Sequence, residues 1–270
     1  METIEYQVHE HVATLTLNRP HALNALNQTM VSELGETTAL AMHDPAVRAV
    51  LVNAAGEHFM AGGDLTWFRE QLSLTATQRL TCFDAIIAAV QASILRLKVM
   101  PKPVVGAVQG AVAGFGMSLM LACDLVIAAD NAYFTLAYCN IGLSPDGGAT
   151  WSLPRQVGLK QAMEIALLGD RITAKRALEL GLVNRLVPAD ELASETHTLA
   201  QRLAAGPTKA LARTKQLLNQ SLANNLATQL LAEQHAFAVC GAEAAFDEGL
   251  AAFFARRPPD FSALPDVDAG

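Results

Sequence analysis

Two glycine-rich turns hold the residues whose types and spacing could do chemistry. The first is Ala61-Gly62-Gly63-Asp64, and the second contains Gly110 and Gly114-Phe115-Gly116. Each turn follows an apolar run that predicts a buried strand, and each precedes a predicted helix. Such a turn leaves backbone N–H groups unpaired where the helix dipole favours negative charge, so it could bind a phosphate or a developing oxyanion. If the two strands are neighbours, the donors converge on one oxygen as an oxyanion hole. The alternative is that the glycines only permit close helix packing.

The second turn does not match the standard nucleotide-binding or nucleophile motifs. The third glycine of a dinucleotide fingerprint would fall at Leu119, and no P-loop pattern is present. Ser118 lacks the final glycine of a nucleophile elbow. We therefore predict that the Ser118 hydroxyl forms a hydrogen bond inside its own helix rather than attacking a substrate.

Asp146 is the acidic residue best placed for catalysis. It follows an apolar run and Pro145, and the next two residues, Gly147 and Gly148, predict a tight turn before a helix that starts near Trp151. Its carboxylate could cap that helix or face a pocket. In an apolar pocket its pKa would rise, which suits a general base near neutral pH.

The composition excludes several classes of protein. The chain has 270 residues, of which 51% are hydrophobic, and a formal net charge of -7, which argues against nucleic acid as the main partner. The N-terminus is too polar for a signal peptide, and uninterrupted apolar runs fall short of the roughly 20 residues of a membrane span. The four cysteines are scattered, with no CxxC motif. We therefore predict a cytoplasmic protein with reduced thiols, no membrane partner and no metal site.

The elements that must position these residues divide the chain. Predicted strands are concentrated before residue 190 and predicted helices after it, which indicates an α/β core with a C-terminal helical region. We predict a core over residues 1–190, a helical region over 191–257 and a loose tail over 258–270. A long helix over Ala76–Val99 has one strongly apolar side.

Several motifs, taken in order, resemble the crotonase (enoyl-CoA hydratase/isomerase) superfamily. They are Asn18-Arg19-Pro20 with residues 22–26, Ala61 to Leu65, residues 108–116 with Cys123-Asp124, Gly142 to Gly148, Leu168 to Ile172, Gly181-Leu182-Val183 and Gly249 to Phe253. Each is weak alone, but the ordered set covers nearly the whole chain. The resemblance implies a crotonase-like spiral of ββα turns. It also implies a C-terminal helical trimerisation region, so that the protein would be a homotrimer or a dimer of trimers.

The same resemblance implies an acyl-CoA thioester substrate, with coenzyme A carried by the substrate and no other cofactor. In the family pattern, the thioester oxygen is held by two backbone N–H groups, which here belong to Gly63 and Phe115. The positions that match CoA-binding or substrate-binding segments are Leu23, Ala25, Ala61, Gly62, Phe253 and Arg256. The last two match positions that contact the phosphate or adenine of CoA, commonly from a neighbouring subunit.

Two positions depart from the family's hydratases, which use a pair of glutamates. Those positions are Ser118 and Tyr138 here, so the usual means of activating water is missing. The segment around Asp146 resembles family members that shift double bonds, including the phenylacetate-pathway ring-epoxide isomerases, in which an acid at this position is the base. Chlorobenzoyl-CoA dehalogenases also use an aspartate here, but their catalytic histidine has no counterpart between Leu65 and Val99.

We therefore predict an acyl-CoA isomerase. Its base would be Asp146, and Ser118 and Tyr138 would shape the pocket or bond water. Two alternatives stay open at this point. One is an enoyl-CoA hydratase with a non-standard base, and the other is a non-catalytic acyl-CoA-binding homologue.

Overall fold

The computed structural model describes residues 1–262. The strands in this range are β1 Ile4–His9, β2 Val12–Leu17, β3 Ala49–Ala54, β4 Val104–Val108, β5 Ala111–Ala113, β6 Leu125–Ala129, β7 Tyr133–Thr135, β8 Ile172–Thr173 and β9 Arg185–Val187. The α-helices are α1 Gln28–His43, α2 Leu65–Glu70, α3 Ala76–Val99, α4 Phe115–Ala122, α5 Ala149–Val157, α6 Leu159–Leu168, α7 Ala174–Glu179, α8 Leu192–Ala204, α9 Thr208–Ser221, α10 Leu226–Gly241 and α11 Ala244–Ala255. Short 3₁₀ turns lie at Pro20–Ala22, Gln71–Ser73 and Tyr138–Ile141.

Six of these strands form one sheet, in the order β1-β2-β3-β4-β6-β9. Only the β1–β2 pair at the edge is antiparallel. The central strand β4 is buried at every residue, as expected of parallel strands covered on both faces. Helix α8 covers one face through Leu192, Ala200 and Ala204, and the larger core lies on the other. Because β3 and β4 are neighbours, the two glycine-rich turns leave the sheet side by side.

A second, smaller sheet contains β5, β7 and β8. The chain therefore adds a strand to the first sheet, then a short strand to the second sheet, then a helix, as in β4-β5-α4. The turn after β3 repeats this path, because Met60 forms a parallel bridge with Val112 before α2 begins. This confirms the predicted ββα spiral, with helices following it at the C-terminal end.

Local capping signals set several helix starts. The side chains of Asn27, Asp64 and Thr173 accept hydrogen bonds from N–H groups in the first turns of α1, α2 and α7, as their types predict. Helix α4 begins directly after Gly114, and helix α5 begins two residues before the start predicted near Trp151. The reason is that Gly114 (φ 51°) and Gly148 (φ 76°) make the turn into the helix directly.

Helix α3 is long and apolar enough to cross a membrane by length and composition alone. Here it packs along α1 and buries Val90, Ser93, Ile94 and Leu97. Core helices of proteins without membrane segments pass the same test. The absence of a membrane partner therefore stays a prediction.

The C-terminal helices expose several large apolar side chains, among them Phe237, Phe253 and Phe254. The predicted trimer would cover such residues, and this assembly stays a prediction, as do the predicted region boundaries. Residues 258–262, which we expected to be loose, are held by hydrogen bonds. The Arg48 guanidinium donates to the Phe261 carbonyl at 3.1 Å, and the Asp260 N–H donates to Glu248. The rest of the predicted loose tail, residues 263–270, lies outside the described residues.

A buried ion pair fastens α9 to the core. The Lys215 ammonium lies 2.7 Å from Asp124 and also donates to the carbonyls of Leu97 and Lys102. We expect Lys215→Met to lower the free energy of unfolding by about 3 kcal/mol, because it leaves a buried carboxylate without its cation. Denaturant titration measures this loss. The control is Lys209→Met, whose pair with Glu243 is more exposed and should contribute at most about 1 kcal/mol. Equal losses in the two variants would contradict the prediction.

Candidate active site

The two glycine-rich turns touch backbone to backbone. The Met60 N–H donates to the Ala111 carbonyl at 3.0 Å, and the Ala113 N–H donates to the Met60 carbonyl at 2.9 Å. A Cβ atom on Gly62 would lie 3.3 Å from the Ala113 carbonyl oxygen, and one on Gly114 would lie 3.3 Å from the Gly62 Cα. Both glycines also have positive φ. The contact brings the turns as close as the oxyanion-hole hypothesis requires.

The N–H groups of Gly63 and Phe115 have no acceptor within residues 1–262. Phe115 is the first residue of α4, so its N–H cannot reach a carbonyl of that helix. Gly63 lies between two bonds that fix its turn, from the Leu26 N–H to the Gly62 carbonyl and from the Asp64 N–H to the Leu26 carbonyl. Both residues line one cavity. Two such donors can hold an oxygen that gains negative charge.

The Asp64 carboxylate serves to fix the first turn. It caps α2 and forms an ion pair with Arg19 at 2.8 Å, and Arg19 also donates to the Ala25 carbonyl. Burial alone would raise the pKa of Asp64, but the hydrogen bonds from Arg19 and from the first N–H groups of α2 hold it below its usual value. The Asp64 carboxylate therefore stays ionised, and its hydrogen bonds hold it in place.

Only some of the predicted CoA-binding positions line the cavity. Ala61 and Gly62 line it, whereas Leu23 and Ala25 do not. The Leu23 carbonyl accepts the Ala61 N–H at 3.0 Å. Phe253 is exposed on α11, and Arg256 follows that helix; neither lines the cavity of its own chain. Leu26, Gln91 and Leu143 also line the cavity and were not predicted. For Leu26, the only signal was its place at the end of a matched motif.

The cavity has a volume of about 690 Å³ and is mostly apolar. Its apolar walls include Trp67, Phe68, Phe83, Ile86, Ile87, Val90 and Leu143. The rings of Trp67, Phe68 and Phe83 form a cluster with centroids 5.3 to 5.6 Å apart. Asp146 is the only acidic residue that lines the cavity within the described range.

The Asp146 carboxylate is held by Tyr138. The Tyr138 hydroxyl donates to Asp146 Oδ1 at 2.5 Å. The Ser118 hydroxyl donates to the Asp146 backbone carbonyl at 2.9 Å and lies 3.4 Å from the Tyr138 hydroxyl. Ser118 thus bonds outside its own helix, contrary to our prediction, because Gly147 packs directly onto it. Asp146 does not cap α5, which has no side-chain cap.

Burial shifts the pKa values of both Asp146 and Tyr138. It raises the pKa of Asp146, and the hydrogen bond from Tyr138 offsets part of that rise by favouring the carboxylate. Burial and the negative charge of Asp146 also raise the pKa of Tyr138. Tyr138 is therefore a neutral donor at ordinary pH. The arrangement offers one proton-accepting carboxylate with a raised pKa in the cavity that also holds two free N–H donors.

Gly116 fixes the second donor turn. A Cβ atom at this position would lie 2.5 Å from the Met60 carbonyl oxygen, so the two turns would have to separate. We expect Gly116→Ala to lower kcat/KM by about 100-fold, because small displacements of positioned groups are costly. Steady-state kinetics on folded protein measures the loss. The control is Gly35→Ala in α1, where the nearest atom would be 3.9 Å away and activity should not change. Unchanged activity in Gly116→Ala would contradict this account of the turn.

Comparisons with known proteins agree on one family. The sequence profile described as enoyl-CoA hydratase/isomerase matches residues 7–263. The chain is 38% identical over 262 residues to 1,2-epoxyphenylacetyl-CoA isomerase of Escherichia coli K12, covering 97% of this chain and 99% of that protein. It is 39% identical to a protein of Rhodobacter capsulatus named as a probable enoyl-CoA hydratase, covering 96% and 98%. A solved enoyl-CoA hydratase structure from Polaromonas sp. JS666 superimposes with a TM-score of 0.89 at 36% identity, covering 95% and 98%.

Proposed function

Since the chain belongs to the enoyl-CoA hydratase/isomerase family, its activity is of that type on acyl-CoA, and we propose that it is an isomerase that shifts a double bond. One observation carries the proposal. Asp146 is the only acid lining the cavity in the described part of the chain, and the two positions of the hydratase glutamates hold Ser118 and Tyr138. The relative from Escherichia coli, which is named as 1,2-epoxyphenylacetyl-CoA isomerase, supports an isomerase rather than a hydratase.

The first step is removal of a proton from the carbon next to the thioester carbonyl. The N–H groups of Gly63 and Phe115 donate to the thioester oxygen and stabilise the enolate that forms when the proton leaves. Each such preorganised donor lowers the activation barrier by about 3 to 4 kcal/mol, as measured in other enzymes. The proton goes to the other oxygen of Asp146, since Oδ1 is held by Tyr138.

The second step returns the proton at the far end of the conjugated enolate. For a 3-enoyl thioester, the proton leaves C2 and is delivered to C4, so the double bond moves to C2–C3 and the atoms balance without water. One carboxyl group suffices, because it is the base in the first step and the acid in the second. A raised pKa favours the return of the proton.

A hydratase is the second candidate function, because a relative of 39% identity is named as a probable enoyl-CoA hydratase. Hydration would require Asp146 or Tyr138 to position water. Two assays on the same protein separate the functions. Conversion of 3-hexenoyl-CoA to the conjugated 2-enoyl thioester tests isomerisation, and loss of the 2-enoyl absorbance tests water addition.

We expect isomerisation to exceed hydration by at least about 100-fold, since the general acid and base that hydration uses are missing. Faster hydration than isomerisation would overturn the proposal. Tight binding of acyl-CoA with neither reaction would identify a non-catalytic binding protein.

A further inference from the structure

A second groove lies behind the part of the cavity wall that follows Asp146. It has a volume of about 730 Å³ and lies between α3 and α5. Gln91, Gly147 and Gly148 line both the cavity and the groove. The boundary that the two spaces share is therefore built from two glycines and one exposed glutamine.

The groove is lined mainly by apolar side chains. Ala88 and Ala92, which lie one helical turn apart on α3, form a low floor, and Leu95 and Trp151 form the sides. Leu95 is 62% exposed and Trp151 is 45% exposed. Clustered exposed apolar residues of this kind mark binding surfaces.

We propose that this groove holds the distal part of a long acyl chain, so that the preferred substrates are long-chain acyl-CoA thioesters. The inference rests on the proposed function, since it takes the cavity as the acyl-CoA site. We infer the occupant of the groove from the boundary that the groove shares with the cavity. A thioester held at Gly63 and Phe115, with its reacting carbons at Asp146, directs the remaining chain toward the two residues that follow Asp146.

The chemistry of the groove fits an alkyl chain. Such a chain needs apolar contact and no hydrogen bonds, which is what Ala88, Ala92 and Leu95 offer. Gly147 packs against Ser118 and Phe115, so the room at the boundary lies at Gly148, where a Cβ atom would meet only Ile94, at 3.8 Å. A hydrophobic site that buries additional methylene groups gains affinity with each one.

The test measures binding of saturated thioesters, which cannot react. Hexanoyl-CoA and dodecanoyl-CoA are titrated calorimetrically into the full-length protein, its Ala92→Phe variant and its Ala89→Phe variant. Ala89 is an exposed residue of the same helix and lines neither space. We expect dodecanoyl-CoA to bind at least about tenfold more tightly than hexanoyl-CoA. Ala92→Phe should abolish this preference without changing hexanoyl-CoA affinity, and Ala89→Phe should change neither.

Other results overturn the inference. Equal affinity of the wild-type protein for both thioesters would do so, as would an unchanged preference in Ala92→Phe. A changed molecular mass of Ala92→Phe by light scattering, with the chain-length preference intact, would identify the groove as an interface between copies. If Ala92→Phe does not fold, Ala88→Phe provides the same test. Failure of the isomerase assay on 3-hexenoyl-CoA would instead count against the proposed function, because the binding test needs no turnover.

Discussion

The Asp146→Asn variant is expected to lose at least about three orders of magnitude in kcat for isomerisation of 3-hexenoyl-CoA, while its affinity for acyl-CoA changes by less than about threefold. An amide has nearly the shape of the carboxylate and can still accept the hydrogen bond from Tyr138. It cannot take up the proton that the reaction must move. The Gly63 and Phe115 donors are backbone groups and are unaffected, so binding of the thioester oxygen should persist.

The substitution should not weaken the fold at neutral pH. Burial raises the pKa of Asp146 in the folded protein above its unfolded value, so ionisation of this group opposes folding as the pH rises through that range. Asparagine removes this cost. We therefore expect the melting temperature at neutral pH to be maintained or raised, which separates loss of chemistry from loss of structure.

Kinetics and calorimetry with a non-reactive saturated thioester check both parts of this prediction. The matched control is Asp84→Asn, an exposed carboxylate on α3 that does not line the cavity and should leave kcat unchanged. Full retained activity in Asp146→Asn would show that another group is the base. Loss of binding together with activity would show that Asp146 holds the substrate rather than moving a proton.

Local signals were sufficient to predict the parts of the site that depend on the backbone. The two glycine-rich turns could be located because each sequence combines a buried strand, glycines and a helix start, and the cap at Asp64 depends only on its immediate neighbours. Their convergence required β3 and β4 to be adjacent. The ordered family motifs implied this adjacency, but no single motif did.

The side-chain contacts of the site could not be predicted, because they depend on tertiary packing. The Tyr138–Ile141 3₁₀ turn reverses the chain so that Tyr138 faces Asp146, eight residues later. Ser118 reaches the Asp146 carbonyl because Gly147 has no side chain to keep them apart. Arg48 likewise holds the chain near Phe261, more than 200 residues away. No residue type or spacing in the sequence indicates these pairs.

The Tyr138→Phe variant is expected to shift the acidic limb of the pH profile of kcat/KM to higher pH. The reaction needs the Asp146 carboxylate, and the Tyr138 hydrogen bond favours that charged form against the effect of burial. Without the hydroxyl, burial acts unopposed by this bond and the pKa of Asp146 rises further. The free enzyme then loses its base at a higher pH, and kcat/KM reports that change because it follows the ionisation of the free enzyme.

The size of the effect should depend strongly on pH. Well above the pKa of Asp146 the base is ionised in both proteins, and we expect only about a tenfold loss from poorer orientation of the carboxylate. Below that pKa, the loss in kcat/KM should grow, because Asp146 becomes protonated at a higher pH in the variant than in the wild-type protein. Tyr133→Phe is the matched control, since Tyr133 lies outside the cavity and its ring stacks with Arg171. A uniform loss at every pH would show that Tyr138 only orients Asp146, and an unchanged profile would mean that the 2.5 Å contact does not control the base.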